Sequence, residues 1–275
     1  MNLRLHKRVP LHPRDDKKIR HCNGVTVPFP LCPGKATAPG LQTFISCLSH
    51  IPVIDMCTCS PEENAVIDRV IGCRRSHRQF GPGVPEREDI GRILHAGLLA
   101  PFAAAGVGAK EDYFRRFFVV QNGSAGIRAL SPLVMAKVRA MESDLSRGME
   151  KDPALKEKAA GFARRLAMIA KGGIAPGIGT APYYIVVAER RGFPPVELQS
   201  LAHCMENMWL KATALGLGFQ LISVTSEMAD DPEFCRALGI RPGEWALMGC
   251  AVGYPLEELP PAIRPPVADV TTWVE

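Results

Sequence analysis

The segment from Pro195 to Leu217 is apolar on nearly every side, and this pattern limits the fold more than any other feature of the chain. A helix that is apolar all round has to be covered by other elements, so the pattern predicts a helix at the centre of a layered protein. Gly216 and Gly218 are expected to end it. His203 and Lys211 lie inside it, and no apolar run of about 18 residues or more lacks a charge, which excludes a transmembrane span.

Shorter elements are predicted around this helix. A capping box is formed by Ser60 and Glu63, with Pro61 at the first helical position, and it predicts a helix that ends before Arg74. A second helix starts at "VPERED" and ends near Ala100-Pro101. A long helical region lies between the strands 115–121 and 181–189, with a first half around 132–142 and a second half at about 153–171. Helices alternate with strands and are the longer elements, which indicates an α+β or α/β layered protein with one core. The predicted strands are 115–121, 181–189, "FQLISV" and "EWALMGCAVGYP".

The N-terminal 55 residues differ from the rest in charge and in pattern. They contain eight of the 33 Lys and Arg residues but only three of the 28 acids, so residues 56–275 hold 25 of each. Because the remaining chain is neutral, it does not have the basic surface expected of a nucleic-acid-binding domain. Prolines and glycines interrupt residues 28–40, which favours an irregular extension. A translation start at Met56 is the other interpretation, since charge balance and periodicity both change there.

The octapeptide "CRRSHRQF", residues 73–80, concentrates positive charge and is a candidate binding segment for an anion. Arg74, Ser76 and Arg78 alternate, so in an extended segment their side chains point the same way. Two guanidinium groups and a hydroxyl suit a phosphate, which accepts charge-assisted hydrogen bonds. A solvated cluster of cations at the end of a helix is the alternative. The residues alone do not choose between the two.

Four segments in order resemble the nitroreductase family of FMN-dependent oxidoreductases over about residues 60–275. The first is "RRSHRQF" after an opening helix, and the second is "VPEREDIGRILHAGLLAP", a helix that runs into an Ala-Pro turn. The third is "MENMWLKATALGLG", similar to the long helix that the family ends in Gly-Leu-Gly. The last is "GCAVGYP" with the later "IRPPVADVTTWVE", similar to the family's closing strand, Gly-Tyr-Pro turn, late arginine and tail with a tryptophan.

The resemblance implies a fold, a cofactor and a set of contacts. The implied fold has a mainly antiparallel central sheet flanked by helices, with a long buried helix at the core of a homodimer. Arg74 and Ser76 would face the phosphate and ribityl chain of FMN, and Arg78 would lie near the N1/O2 edge of the flavin ring. The candidate cofactor-binding set is Arg74, Arg75, Ser76, Arg78, Ser223 and Arg264, with Thr225 and Ser226 beside Ser223.

The implied activity is transfer of hydride from NAD(P)H through flavin N5 to a small acceptor, such as a nitroaromatic or a quinone, with ping-pong kinetics. No side chain is assigned as catalytic and no metal is expected, because the chemistry belongs to the cofactor. The FMN sites are expected at the interface between the two subunits. "GVGAKE" and "GIGTAP" lack the context of a dinucleotide-binding fingerprint, which agrees with a transient nucleotide.

The sequence departs from the family pattern after Ala100-Pro101. Ala105 occupies the position of the usual Asn, and nothing matches the usual Gln-Pro-Trp. Phe102 or Tyr113 is a candidate to pack near the flavin ring instead. This departure keeps an alternative function open, in which the protein binds flavin without catalysis or senses redox state.

Nine cysteines, an odd number with no regular spacing, indicate a reducing compartment, and we expect a cytoplasmic protein. Cys57 and Cys59, near His50 and Cys73, do not have the spacing of a common metal site, so free thiols are the favoured interpretation. The redox-sensor alternative would use Cys57 and Cys59.

Overall fold

The computed structural model describes residues 58–102 and 113–274 of the chain. The irregular extension predicted for residues 1–55 lies outside these residues and stays a prediction. The helices are α1 (Pro61–Cys73), α2 (Arg87–Leu98), α3 (Ala125–Lys151), α4 (Pro153–Gly172), α5 (Glu197–Ala214) and α6 (Pro232–Leu238). The strands are β1 (Arg115–Gln121), β2 (Tyr183–Arg190), β3 (Gly218–Ile222) and β4 (Trp245–Gly253), and short 3-10 helices span Ser223–Met228 and Val267–Val270.

The four strands form one antiparallel sheet in the order β1-β2-β4-β3. The two central strands, β2 and β4, are buried over nearly their whole length. Strands covered on both faces have continuous apolar sequences, and this is why "YYIVVAE" and "WALMGCAV" show no polar alternation. The arrangement confirms the predicted α+β class and the antiparallel sheet.

Successive residues of β2 enter two different cores, because strand side chains alternate between the faces of a sheet. Tyr184, Val186 and Ala188 pack in the core with α3, α4 and α6. Ile185 and Val187 pack in the other core with α2 and α5. The sheet therefore separates two apolar layers, with helices on each side.

Helix α5 is the segment predicted to be apolar all round, and only one side of it is buried by residues that the structure describes. Leu201, Met205 and Met208 are fully buried against the sheet. On the other side Leu198 is 60% exposed and His203 is exposed. An apolar helix face left open in this way has room for a further partner.

Helix α1 begins as predicted but contributes nothing buried to the core. Ser60 and Glu63 form the capping box, with the Ser60 backbone N–H 2.8 Å from a Glu63 carboxylate oxygen. No residue of the helix is buried, and Ile71 is 53% exposed. Within residues 58–102 and 113–274, nothing covers the apolar face of this helix fully.

A buried ion pair holds the end of α2 against the sheet. The Arg115 Nε donates to the Glu189 Oε1 at 2.6 Å, and both side chains are fully buried. Arg115 also donates to the carbonyl oxygens of Gly97 and Ala100, which lie at the C-terminal end of α2. Burial raises the pKa of Glu189, and the adjacent guanidinium opposes that shift. This network fixes the position from which the chain leaves α2.

Candidate cofactor site

The arginine turn, defined here as Arg74–Phe80, lies as an added extended segment between two parts of the sheet. Ser76 pairs in parallel with Phe219 of β3, and the His77 N–H donates to the Phe219 carbonyl at 3.1 Å. At the other end Phe80 pairs with Pro255, which follows β4 in the Gly-Tyr-Pro turn. Three motifs far apart in the sequence therefore meet at one place.

The two glycines of "GLG", Gly216 and Gly218, are required for different structural reasons. Gly216 has a φ of 71°, a conformation that favours glycine, and it ends α5. Gly218 has a different reason, because a Cβ there would lie 3.0 Å from the Cβ of His77 and 3.3 Å from the carbonyl oxygen of Gly253. The absence of a side chain at Gly218 lets the arginine turn lie this close to β3.

Trp209 of α5 contacts both the backbone and a side chain of the arginine turn. Its Nε1–H donates to the carbonyl oxygen of Arg75 at 3.1 Å. The guanidinium carbon of Arg74 lies 4.2 Å from the centre of the indole ring, and Arg74 Nε lies 3.2 Å from a carboxylate oxygen of Glu206. A cation over an indole and next to a carboxylate is held in a defined place. The helix that forms one core thus also orients the arginine turn.

A cavity of about 510 Å³ opens beside the arginine turn, between β3 with the following 3-10 helix and the pair α3–α4. This volume is within the usual range of small-molecule sites. The apolar wall comes mainly from α3 and α4, and the polar groups come mainly from the arginine turn and the segment after β3. The polar and charged residues that line it are Ser76, Arg78, Arg165, Gln220, Ser223, Ser226 and Glu227.

The structure brings some of the predicted site residues together and separates others. Ser76, Arg78 and Ser223 line the cavity. Arg74 lies over Trp209, whose ring is itself part of the cavity wall. The Arg75 side chain instead donates to three carbonyl oxygens, those of Gly72, Arg74 and Pro260. Arg264 is exposed and donates to the carbonyl oxygen of Ile263, its neighbour in the chain.

The two further residues after β3 differ in their surroundings. Ser226 lines the cavity, whereas Thr225 is buried and its hydroxyl lies 2.8 Å from the hydroxyl of Tyr184. Burial raises the pKa of Tyr184, so this phenol stays protonated. Thr225 therefore joins the 3-10 helix to the core rather than facing the cavity.

The segment after Ala100-Pro101 offers no aromatic residue to the cavity in the parts that the structure describes. Phe102 stacks on Phe114 with ring centres 3.8 Å apart, and Tyr113 contacts the same ring at 4.4 Å. Neither lines the cavity. Ala105 lies outside the described residues, so the consequence of losing the usual Asn stays a prediction.

Comparison with known proteins gives the chain a family. Its sequence matches the model of the nitroreductase family over residues 71–254. The chain belongs to the nitroreductase family. This family member has no match among curated proteins.

Several solved structures are similar to this chain in fold. One is a nitroreductase with bound FMN from Bacteroides fragilis, with 22% identity, coverage of 76% of this chain and 98% of that chain, and a TM-score of 0.53. Another, from Desulfitobacterium hafniense and also with bound FMN, has 22% identity, the same coverage and a TM-score of 0.52. An iodotyrosine deiodinase bound to FMN and 3-iodo-L-tyrosine has 20% identity, coverage of 73% and 95%, and a TM-score of 0.52. At these identities the likeness concerns the fold.

Several residues of the cavity were not predicted from the sequence of this family member. Phe162 and Arg165 lie on α4, which sequence patterns indicate only as an amphipathic helix. Gln220 interrupts the apolar strand β3, and that interruption is a signal that could have identified it. Trp209 is hidden in the apolar pattern of α5, where a buried core residue is the ordinary interpretation.

His77 is the titratable group nearest to the backbone pairing of the arginine turn. It lines a smaller cavity of about 210 Å³ together with Arg78 and Glu257. Burial lowers its pKa, and the charge of Glu257 opposes that shift. The neutral imidazole is therefore favoured at neutral pH.

The remaining sulfur and imidazole groups form no candidate metal centre. In the ranges 58–102 and 113–274, no three His, Cys, Asp or Glu residues are grouped so that they could hold a metal ion. Cys59 and Cys73 are exposed and free of disulfides, and Cys57 and His50 lie outside those ranges. In the same ranges no helix has the length and apolar character needed to cross a membrane.

Proposed function

We propose that the protein is an FMN-dependent oxidoreductase that transfers reducing equivalents from NAD(P)H to a small organic acceptor. The observation that carries this proposal is the convergence of the arginine turn, "GLG" and the Gly-Tyr-Pro turn beside one cavity, with Ser76, Arg78 and Ser223 on its wall. Membership in the nitroreductase family and the FMN-containing structures of similar fold support it.

The polar groups of the cavity suit FMN in two ways. Gln220 is buried, and its Oε1 has no hydrogen-bond partner among the residues that the structure describes. A buried acceptor of this kind requires a donor, and the imide N–H of a flavin or a hydroxyl of its ribityl chain can supply one. Ser76 and Arg78 are donors that suit the anionic or carbonyl groups of the same molecule.

Each candidate residue then has an assigned role. Ser76 and Arg74 would bind the phosphate end, and Arg264 would join them through a movement of the exposed C-terminal segment. Arg78 would lie near the pyrimidine edge of the ring, where a cation raises the reduction potential of a flavin. Ser223 would contribute its backbone or hydroxyl group on the opposite side. Arg75, in its observed contacts, would keep the turn in shape, and its direct contact with FMN stays a prediction.

FMN held by Ser76, Arg78 and Ser223 would supply the two-electron chemistry that links oxidation of NAD(P)H to reduction of the acceptor in two separate half-reactions. With a quinone the overall reaction is NAD(P)H, a proton and quinone giving NAD(P)⁺ and hydroquinone. The protein side chains bind and orient the reactants, and the apolar wall from α3 and α4 limits water at the reacting face. This division agrees with the expectation that no side chain acts as nucleophile or metal ligand.

We also propose that the protein is a homodimer. An apolar groove runs between α1 and α5, and its lining residues are Val66, Ile67, Val70, Ile71, Ala96, Leu99, Asn207, Leu210, Lys211 and Ala214. Val66, Ile67 and Ile71 of this groove are 48%, 47% and 53% exposed, and a contiguous group of exposed apolar side chains marks an interaction site. A second copy would bury both faces, as in the large apolar interfaces of obligate dimers.

The first experiment is the visible absorption spectrum of the purified protein, recorded before and after anaerobic addition of NADPH or NADH. A flavin spectrum that bleaches with nucleotide supports the proposed function. A flavin spectrum that persists would overturn NAD(P)H dependence and favour flavin binding or redox sensing. A colourless protein that takes up no added FMN would overturn the cofactor assignment itself. A cytoplasmic location stays a prediction, which localisation of a tagged full-length chain would test.

A further inference from the structure

The outer wall of the cavity is apolar except at one position. Helices α3 and α4 form this wall and place six side chains on it: Val138, Met141, Phe162, Arg165, Leu166 and Ile169. Arg165 alone among them is charged. A cation on an otherwise apolar wall makes that wall selective for ligands by charge as well as by shape.

The Arg165 guanidinium has no ion pair or hydrogen bond within the parts of the chain that the structure describes. The residues three and four positions away on α4 are Gly161, Phe162, Met168 and Ile169, none of which is acidic. Two other exposed helical arginines, Arg147 and Arg236, each pair with an acid three positions earlier, whereas Arg165 has no acid at that spacing. The donors of Arg165 are therefore available to a ligand.

Phe162 lies next to Arg165 at the same cavity. The two residues are three positions apart on α4, so their side chains are neighbours on one face of the helix. The Phe162 side chain is 52% exposed, which is unusual for a large aromatic ring on a cavity wall. An aromatic ring packed on Phe162 would bring a substituent within reach of the Arg165 guanidinium.

The other charges at the cavity leave this role to Arg165. Arg78 belongs to the arginine turn, which the proposed function assigns to FMN. Glu227 lies on the segment after β3 and carries the opposite charge, so it repels an anion from that side. Arg165 is then the cation on this wall that remains for a second ligand.

We propose that Arg165 binds the anionic substituent of an aromatic electron acceptor whose ring packs on Phe162. This inference rests on the proposed function, because it names the class of acceptor for the same site. The acceptor class is an aromatic ring system that bears a carboxylate or a sulfonate. The Arg165 guanidinium forms charge-assisted hydrogen bonds with that group and does not take part in electron transfer.

Binding can be measured without turnover, with 2-naphthoate as the anionic probe and 2-naphthamide as its neutral analogue. Calorimetric titration of the FMN-loaded protein is done at low ionic strength, since salt screens an exposed contact. We expect 2-naphthoate to bind more tightly than 2-naphthamide. The Arg165→Met variant is expected to weaken 2-naphthoate about tenfold, which corresponds to about 1.4 kcal/mol, and to leave 2-naphthamide within about twofold.

Arg164 provides a matched control, because it is an exposed arginine on the same helix that does not line the cavity. Arg164→Met makes the same change in net charge and is expected to leave both affinities unchanged. Equal losses in the two variants would refute a specific contact and indicate long-range charge alone. Equal losses of both probes in Arg165→Met would show that Arg165 acts by packing, which also overturns the proposal.

Turnover with two quinones separates this inference from the proposed function. In Arg165→Met we expect the KM for 1,4-naphthoquinone-2-sulfonate to rise about tenfold while the KM for 2-methyl-1,4-naphthoquinone and the FMN content stay unchanged. A raised KM for NADPH with an unchanged KM for the sulfonate would assign Arg165 to the nucleotide and overturn the proposal. If the flavin is not reduced by NAD(P)H but the preference for 2-naphthoate disappears in Arg165→Met alone, the proposed function fails and the anion site stands.

Discussion

Replacement of Gly218 by alanine tests whether the arginine turn depends on close contact with β3. The new Cβ would lie 3.0 Å from the Cβ of His77 and 3.3 Å from the carbonyl oxygen of Gly253. The optimum distance between carbon atoms is about 3.5–4.0 Å. Both contacts would be too short, so the turn has to move outward by a few tenths of an ångström. Both neighbours are fixed to backbone, and neither can rotate away. The substitution therefore displaces the residues that are proposed to bind FMN.

The magnitude follows from the cost of overpacking, which is typically about 1–3 kcal/mol. At about 2 kcal/mol, a domain of this size loses about 4–8 °C in its melting temperature. Misalignment of one charge-assisted hydrogen bond is expected to raise the Kd of FMN about tenfold. The assays are thermal unfolding of the FMN-free protein and titration with FMN followed by absorbance.

Two further variants make this prediction refutable. Gly91→Ala adds a Cβ on α2 where no atom lies within 4 Å, so it is expected to stabilise the protein by about 0.5–1 kcal/mol and to leave FMN binding unchanged. His77→Gly removes the nearest clashing atom, and in combination with Gly218→Ala it is expected to recover about 1 kcal/mol in a double-mutant cycle. Unchanged melting and unchanged FMN affinity in Gly218→Ala would refute the close contact.

Four other substitutions have expected outcomes. Arg74→Ala is expected to weaken FMN binding by about 1.5–3 kcal/mol, measured by titration with FMN. Arg78→Ala is expected mainly to lower the reduction potential of the bound flavin, measured by potentiometry, with a smaller effect on FMN affinity. The same pattern of effects in both variants would contradict the separate roles. Arg115→Met leaves the Glu189 carboxyl buried without its partner and is expected to cost about 3–5 kcal/mol in urea unfolding. Because burial raises the pKa of Glu189 in the folded state, the folded protein binds this proton more tightly than the unfolded chain does, so stability falls as pH rises from the usual glutamate range through the raised pKa. Without the guanidinium that pKa rises further, so the variant is expected to lose more stability over the same pH increase; a parallel pH profile would contradict this. Ile67→Asp on α1 is expected to shift the protein from dimer to monomer in sedimentation without unfolding it, since Ile67 is exposed in the single chain, and an unchanged sedimentation coefficient would argue against this interface.

Local patterns predicted most element positions because the signals that set them are themselves local. The strand predicted at 115–121 is β1 with the same bounds, and Ser60 with Glu63 forms the expected capping box. The segment "FQLISV" is an exception, because β3 ends at Ile222 and Ser223 begins a 3-10 helix. The β-branched residues of this segment favour a strand. In the structure the chain turns after Ile222, and the Thr225 hydroxyl lies next to the hydroxyl of Tyr184.

The candidate site was predictable only in part. The alternation of Arg74, Ser76 and Arg78 predicts that their side chains share one direction, and Ser76 and Arg78 do line one cavity. Arg165 lies about ninety positions further along the chain, and no short-range pattern relates it to the arginine turn. The pairing of α3 and α4 over the sheet decides which of their side chains reach the cavity.

The sequence by itself determined the class of fold, the capped start of α1 and the family, because caps, apolar periods and ordered motifs depend on neighbouring residues. The start of α3 at Ala125, before the predicted 132–142, was missed. Tertiary structure alone decided that the Arg75 side chain reaches the carbonyl oxygen of Pro260, that Trp209 donates to the carbonyl oxygen of Arg75, and that Gly218 leaves room for His77. Arg75 is 134 positions from Trp209 and 185 positions from Pro260 in the sequence, and His77 is about 140 positions from Gly218. The physical reason is that close packing between distant segments selects side-chain directions that local propensity leaves open.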